Sequence, residues 1–369
     1  MTLQDEKEAL YPLLQTALEL ELSTIPPYLI ALLSIRRDAN RGSAELIRSV
    51  MMEEMLHMVL VGNLMSSIGG RVRLGSGQVP RFPVRLAFQG KAFRFREFDV
   101  DLRRFSPEAL QTFLQIEIPD ALVSRGRSPA AAPDLDISGL TIGEFYTMLG
   151  ERLRKLCEAY GEPHVFCGDS RKQVGEQYYW AGSGKPVVVS NLASALEALE
   201  TIVSQGEGCH GSIDDDDAID FNQPTEFAHY FRFNEIRCGR HYRVGDSAFD
   251  PPGGEPLRVD YEAVYPIKTN PKHSDYAPGS KLAELNEHFN QQYSLLLTQI
   301  ETALNGVPSV LYDAITGGMH RLTPIAIEMM SLPVDDRADS PHGAPSFEWA
   351  EPPSDLARSG GPSAGRLPG

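Results

Sequence analysis

Residues 53–57 read Glu53-Glu54-Met55-Leu56-His57, and their setting decides what kind of fold the chain makes. Glu54 and His57 are three residues apart, so on a helix they lie on one face. Met51, Met55, Met58 and Val59 surround the pair with apolar side chains. A carboxylate buried among such neighbours needs a partner, and a cation is one. Glu-x-x-His is also the unit with which helical bundles hold pairs of iron or manganese ions. An isolated pair at this spacing is most simply a surface feature; the apolar surroundings favour the inward reading.

Working outward, Leu46, Ile47, Val50, Met51, Leu56, Val59, Leu60 and Leu64 recur at helical spacing, from a cap at Ser43 to a stop at Gly69-Gly70. Before it, residues 5–37 carry the same periodicity through Leu10, Leu13, Leu14, Ala17, Leu18 and Leu22. Pro26-Pro27 predicts a kink or restart there, because each proline removes a backbone donor and clashes one turn back. The turn at Asp38–Ser43 is short enough to lay the two helices antiparallel. Counted from its middle, Glu21 lies about 19 residues back and Glu54 to His57 about 14 to 17 forward, a mismatch of at most about 8 Å at ~1.5 Å per residue. Glu21 sits among Leu18, Leu20, Leu22 and Ile25 and is the favoured ligand. Glu19, two residues earlier, falls on roughly the opposite side of the helix.

The rest of the chain alternates helix with irregular stretches. Residues 71–106 lose the helical period and read as loop and short strands. Ser106-Pro107-Glu108 starts a short helix that Pro119 ends, and 121–139 is a linker rich in Pro, Ala and Ser. Helices follow at 141–160, 191–205 and 225–237, with a crossover of about 30 residues between the first two. Residues 240–275 read as loop and strand, and 280–331 as helix in two pieces. The expected layout is a metal-binding bundle over 1–240, a C-terminal extension over 241–350 packing on it, and a disordered tail at 351–369.

The far half of a bundle site has to come from later helices. Glu144 opens one helix and Glu207 closes the next, so antiparallel packing would bring them to one level. Against this, Glu144, Glu151 and Glu158 form a seven-residue stripe typical of a solvated face, and Gly206 and Gly208 flank Glu207. His229 in the aromatic run 227–231 is the histidine to complete the set, and is equally explained as a packed core residue. His210 is its competitor among glycines.

Composition narrows the partners. The formal net charge of -16 argues against nucleic acid or an anionic membrane surface, which would repel the chain. Asp5, Glu6 and Glu8 stand where a signal peptide would be basic. The longest apolar run, near Leu29 to Ser34, is too short to span a bilayer. Cys157, Cys167, Cys209 and Cys238 form no C-x-x-C pair, which fits reduced thiols and a cytoplasmic location.

The run 17–29 (Ala-Leu-Glu-Leu-Glu-Leu-Ser-Thr-Ile-Pro-Pro-Tyr-Leu), with Glu53–His57 and Gly62-Asn63-Leu64, resembles the ferritin-like domain of the iminophenyl-pyruvate dimer synthase type. The likeness continues through 116–119, 142–146, 205–208, 229–233 and 345–349. It implies a mainly α, ferritin-like four-helix bundle with additional helices and short-strand insertions, and a non-haem metal site. The resemblance favours Glu21, Glu54, His57, Glu144, Glu207 and His229 as metal ligands, with Glu117 as the alternative. The chain departs from it at Leu22, where many relatives are expected to carry histidine, and it is only as long as the ferritin-like part of the large pigment enzymes.

The expectation is a dimetal oxidase or oxygenase with two iron ions per chain, manganese being the alternative. Its partners would be a small organic substrate of specialised metabolism and dioxygen or peroxide, with a homo-oligomer allowed. Glu54 would bridge, His57 would be terminal, and 71–106 and 240–275 would form a substrate lid. Storage, peroxide detoxification and a scaffold with a decayed site are the competing readings.

Overall fold

The first helix, α1 (Leu3–Ser34), begins at a capping box: Thr2 accepts the Asp5 N–H, and Asp5 accepts the Thr2 N–H. The computed structural model of the chain describes residues 2–86, 98–119, 122, 142–179, 183–208, 213–214, 227–243 and 245–351. α1 does not restart at Pro26 and Pro27 but runs through both as one helix. Both prolines are buried, so packing holds a turn that lacks two backbone donors. The hydroxyls of Ser23 and Thr24 lie 2.7 and 2.8 Å from the carbonyls of Leu20 and Glu21 just before the gap.

The second helix, α2 (Arg41–Ser67), starts two residues before the expected Ser43 cap. Asn40 occupies the cap position with φ 45 and spends its amide elsewhere. It exchanges hydrogen bonds of 2.8 and 2.7 Å with the backbone of Asp260. Tyr11 bonds the Ile68 carbonyl and Thr24 reaches Glu54, so α1 and α2 run antiparallel as the short turn required.

Two further helices close a four-helix ring. α3 (Pro107–Ile116) is short, and α4 (Ile142–Tyr160) and α5 (Leu192–Glu207) are the long pair that packs on α1 and α2 respectively. α5 opens where expected, at Asn191, in a capping box with Ser194. The Ser106 hydroxyl accepts the Ala109 N–H to start α3, with proline in the first turn. α6 (His229–Cys238) packs on α3, α2 and α5, so α3 and α6 lie together along one side of the ring. The mainly helical class is therefore the observed one.

Strand is confined among the described residues to β1 (Val84–Leu86) and β2 (Phe98–Val100), an antiparallel pair with Val84 opposite Val100. Phe93 to Phe95, the 121–139 linker apart from Leu122, Asp215 to Asp217 and the tail from 352 lie outside the described residues. Among its described residues the 240–275 stretch has no strand of its own. Tyr265 N–H donates to the Ser34 carbonyl at 2.8 Å, Arg36 N–H donates to the Ala263 carbonyl at 3.0 Å, and the Arg36 guanidinium stacks 4.8 Å from the Tyr265 ring.

These bonds strap the segment to the α1–α2 turn. Glu54 is about 14 residues beyond that turn, so at ~1.5 Å per residue the strap lies about 20 Å from it. Residues 260–265 therefore do not serve as the expected lid.

The C-terminal helices, α7 (Lys281–Leu304) and α8 (His320–Ser331), pack on each other and on the α1–α2 hairpin. A π-helical stretch, Ala314–Met319, leads into α8. One side of α7 holds the final described segment. Asn286 accepts from Ser346 N–H, Asn290 from Glu348 N–H and Ser294 from Ala350 N–H, at 3.0 to 3.2 Å. α1 is the one helix among the described residues with the length and hydropathy of a membrane span, yet 72% of its apolar window is buried inside the fold.

Candidate metal centre

Three buried carboxylates and two buried imidazoles converge between α1, α2, the end of α3 and the start of α6. Glu21, Glu54 and His57 form one group able to hold a cation, and Glu54, Glu117 and His229 form a second. Within each group the ligand atoms lie within 4.8 Å of one another, and Glu54 belongs to both. His57 Nδ1 is 3.5 Å from Glu21 Oε2 and 3.8 Å from Glu54 Oε1. His229 Nδ1 is 2.9 Å from Glu54 Oε1 and 3.4 Å from Glu117 Oε2. The two rings stack with centroids 5.4 Å apart.

The outer nitrogens are engaged, which fixes the inner ones. His57 Nε2 meets Gln205 Oε1 at 2.8 Å, and the Gln205 amide nitrogen faces the Ser183 carbonyl at 3.5 Å, so the amide oxygen is the atom turned to the ring. His229 Nε2 meets Glu53 Oε2 at 2.9 Å. Both partners accept, so each neutral ring carries its hydrogen on Nε2 and offers the Nδ1 lone pair to the centre. Phenols orient the outer carboxylates, Tyr146 donating to Glu21 and Tyr28 to Glu117. The Thr24 hydroxyl lies 2.9 Å from Glu54 Oε2.

Crowding of like charges shows in the titration of the metal-free cluster. Burial, then Glu117 and Glu21, push the Glu54 carboxyl up to about 8. Burial alone would depress His57, but Glu21 and Glu54 hold it above the ordinary histidine value. His229 is raised further, against its burial, first by the charge of Glu117. Glu21 is lowered, His57 outweighing its burial. Glu53 is pulled down to about 2 despite burial, by Arg232 and then His229. Burial and the neighbouring carboxylates raise Tyr28 and Tyr146 well above the ordinary phenol value, so both stay protonated donors. Protons thus do part of what cations would do here.

The donor set suits divalent transition metals: carboxylate oxygens for hard ions, two imidazole nitrogens, and one carboxylate common to both halves. Glu21, Glu54, His57 and His229 of the sequence-derived set come together. Glu144 does not, and that expectation is corrected: it is exposed on the first turn of α4, and Tyr146, about 200° further round the helix, is the residue that reaches Glu21. Glu117, expected as an alternative, stands in the second group. The Glu207 side chain and His210 lie outside the described residues; among the described residues of that run, Gln205 reaches His57. Glu19 is partly exposed and bonded to Gln15. Sequence reasoning assigned no role to Glu53, Arg232, Tyr28, Tyr146 or Gln205. The signal for Glu53 was the doubled Glu53-Glu54, whose two members face neighbouring directions on α2.

A family profile described as "Ferritin-like" matches residues 14–238. The chain is similar in structure to a ferritin-like protein from Caulobacter vibrioides, with a TM-score of 0.56 and 23% sequence identity. That alignment covers 87% of this chain and 94% of the other, and at such identity the likeness shows the fold. No curated protein matches.

Proposed function

This chain belongs to the ferritin-like family, and we propose that it is a non-haem dimetal oxidase or oxygenase acting on a small organic substrate. The observation that carries the reading is Glu54, shared by two groups that each add one further carboxylate and one imidazole. In this reading Glu21 and His57 would hold one metal ion, Glu117 and His229 would hold the other, and Glu54 would serve both. Iron is the proposed metal, with manganese as the alternative. Two such ions would supply the electrons needed to reduce dioxygen or to turn over peroxide.

The chain's own residues do the rest. Tyr146 and Tyr28 aim the Glu21 and Glu117 carboxylates and leave one oxygen of each free for ligation. Phe113 and Phe233 pack on the Tyr28 ring at centroid distances of 4.6 and 5.2 Å, which keeps water from that carboxylate. Glu54, able to keep a proton near neutral pH without metal, gives it up when a cation takes its place. The motif resemblance to the iminophenyl-pyruvate dimer synthase type supports specialised metabolism as the setting and leaves the substrate open.

The test is metal content per chain after anaerobic iron loading, in wild type and His57→Ala. About two ions in wild type and about one in the variant are expected for two carboxylate-histidine sites. An unchanged content in His57→Ala would defeat the ligand assignment, and no bound metal would defeat the enzyme reading. Many ions per chain would indicate storage, and rapid dioxygen release from peroxide a catalase.

A further inference from the structure

The two halves of the cluster match except in what stands behind each histidine. In one, Tyr146 donates to Glu21, and His57 Nε2 faces the neutral amide oxygen of Gln205 at 2.8 Å. In the other, Tyr28 donates to Glu117, and His229 Nε2 faces the Glu53 carboxylate at 2.9 Å. Arg232 grips that carboxylate in a bidentate fork, Nη1 to Oε1 at 2.7 Å and Nη2 to Oε2 at 2.9 Å. The guanidinium is anchored in turn, Nη1 donating to Ser49 Oγ at 2.9 Å and Nε to the Phe227 carbonyl. Glu53, His229 and Arg232 are each no more than 2% exposed, so water screens none of these bonds.

We infer that Glu53 and Arg232 are positioning residues that make the halves unequal, so that the Glu54–Glu117–His229 half takes up a divalent transition metal first and more tightly. The inference rests on the dimetal reading and adds an order of filling to it. An imidazole that ligates through Nδ1 donates its remaining N–H at Nε2. A carboxylate acceptor draws that proton more strongly than an amide does, and leaves Nδ1 the richer donor. Arg232 tempers the charge of Glu53 without displacing its oxygen from Nε2. Its two parallel bonds also fix the carboxylate plane, so the His229 ring is held with Nδ1 toward Glu54 and Glu117. Partners of this kind change metal affinity by about 10–100-fold, enough to separate two sites that share a ligand.

Titration with Co(II), followed by visible absorption, tests this in proteins that keep one half each. His57→Ala retains Glu54, Glu117 and His229; His229→Ala retains Glu21, Glu54 and His57. The first should bind one Co(II) at least about tenfold more tightly than the second. Adding Glu53→Gln with Arg232→Met removes both charges together, so neither is left buried and unpaired. In the His57→Ala protein this pair should weaken binding about tenfold or more, and in His229→Ala by no more than about twofold. A merely structural role would weaken both halves alike and would overturn the inference. So would equal affinities for the two single-half proteins, or the reverse order, with the dimetal reading left standing. If wild type binds no Co(II), the dimetal reading falls and this inference with it.

Discussion

Raising the pH from 5 to 8 should weaken the metal-free fold, and Glu54 sets how much. Its carboxyl is displaced from an ordinary 4.5 to about 8 by burial and by the charges of Glu117 and Glu21. Between those values the folded protein keeps a proton that the unfolded chain has released, so stability falls as pH rises. The contribution is fully present below pH 4.5 and is lost as the pH climbs through about 8. At about 1.4 kcal/mol per unit, the displacement amounts to about 5 kcal/mol at the top of the window. His57 and His229, both raised above 6.5, act in the same direction from that value upward. Glu53 and Glu21, both lowered, oppose it only below 4.5, where their stabilisation is lost as pH falls. Urea unfolding of chelator-treated protein, followed by far-UV circular dichroism at several pH values, measures the effect. The midpoint should drop steeply in wild type and more gently in Glu54→Gln, whose amide does not titrate. Loading with Mn(II) should reverse the slope, because metal displaces these protons. A metal-free midpoint that stays flat or rises from pH 5 to 8 would refute the reasoning.

Tyr146→Phe removes the phenol donor from the buried Glu21 carboxylate and should cost about 1–3 kcal/mol in urea unfolding, with weaker metal binding in the His57 half. Glu117→Gln should lessen the upward displacement of the Glu54 carboxyl and so flatten the fall of the metal-free urea midpoint between pH 5 and 8. It takes a negative charge from the α3 C-terminus and from beside Glu54, while lowering the metal content by one ion. Gly168→Ala would set a Cβ 2.1 Å from the Ser66 carbonyl oxygen, so backbone must move and the melting temperature should fall. Gly77→Ala, with nothing within 4 Å, is the control that should leave it unchanged.

The near half of the site was legible because it depends on two periodic helices and a short turn. Apolar spacing fixed the faces, the turn fixed the antiparallel direction, and rise per residue put Glu21 level with Glu54 and His57. The restart allowed at the double proline does not occur, because the tertiary packing that buries both rings outweighs its local penalty. The lid reading failed for residues 260–265 because nothing in a loop's composition tells that Asn40 and Ser34 will bind its backbone.

The far half was harder for a different reason. The expectation drew its carboxylates from α4 and α5, the helices that close the ring, and the described side chains of those helices touch the cluster through Tyr146 and Gln205. The imidazole is the expected His229 at the start of α6, and the carboxylate beside it is Glu117 at the end of α3. Glu117 is the C-cap of α3, where the helix dipole disfavours a negative charge, and propensity would not choose it. Nor does an amphipathic pattern mark α6, whose residues 229–236 are all buried, so His229 cannot be assigned to a face. Both residues are held by partners distant in sequence, Glu117 by Tyr28 and His229, and His229 by Glu53, Glu54 and Glu117. A chain keeps such a cluster at the expense of its metal-free stability, which is what a site shaped for cations rather than for the fold would do.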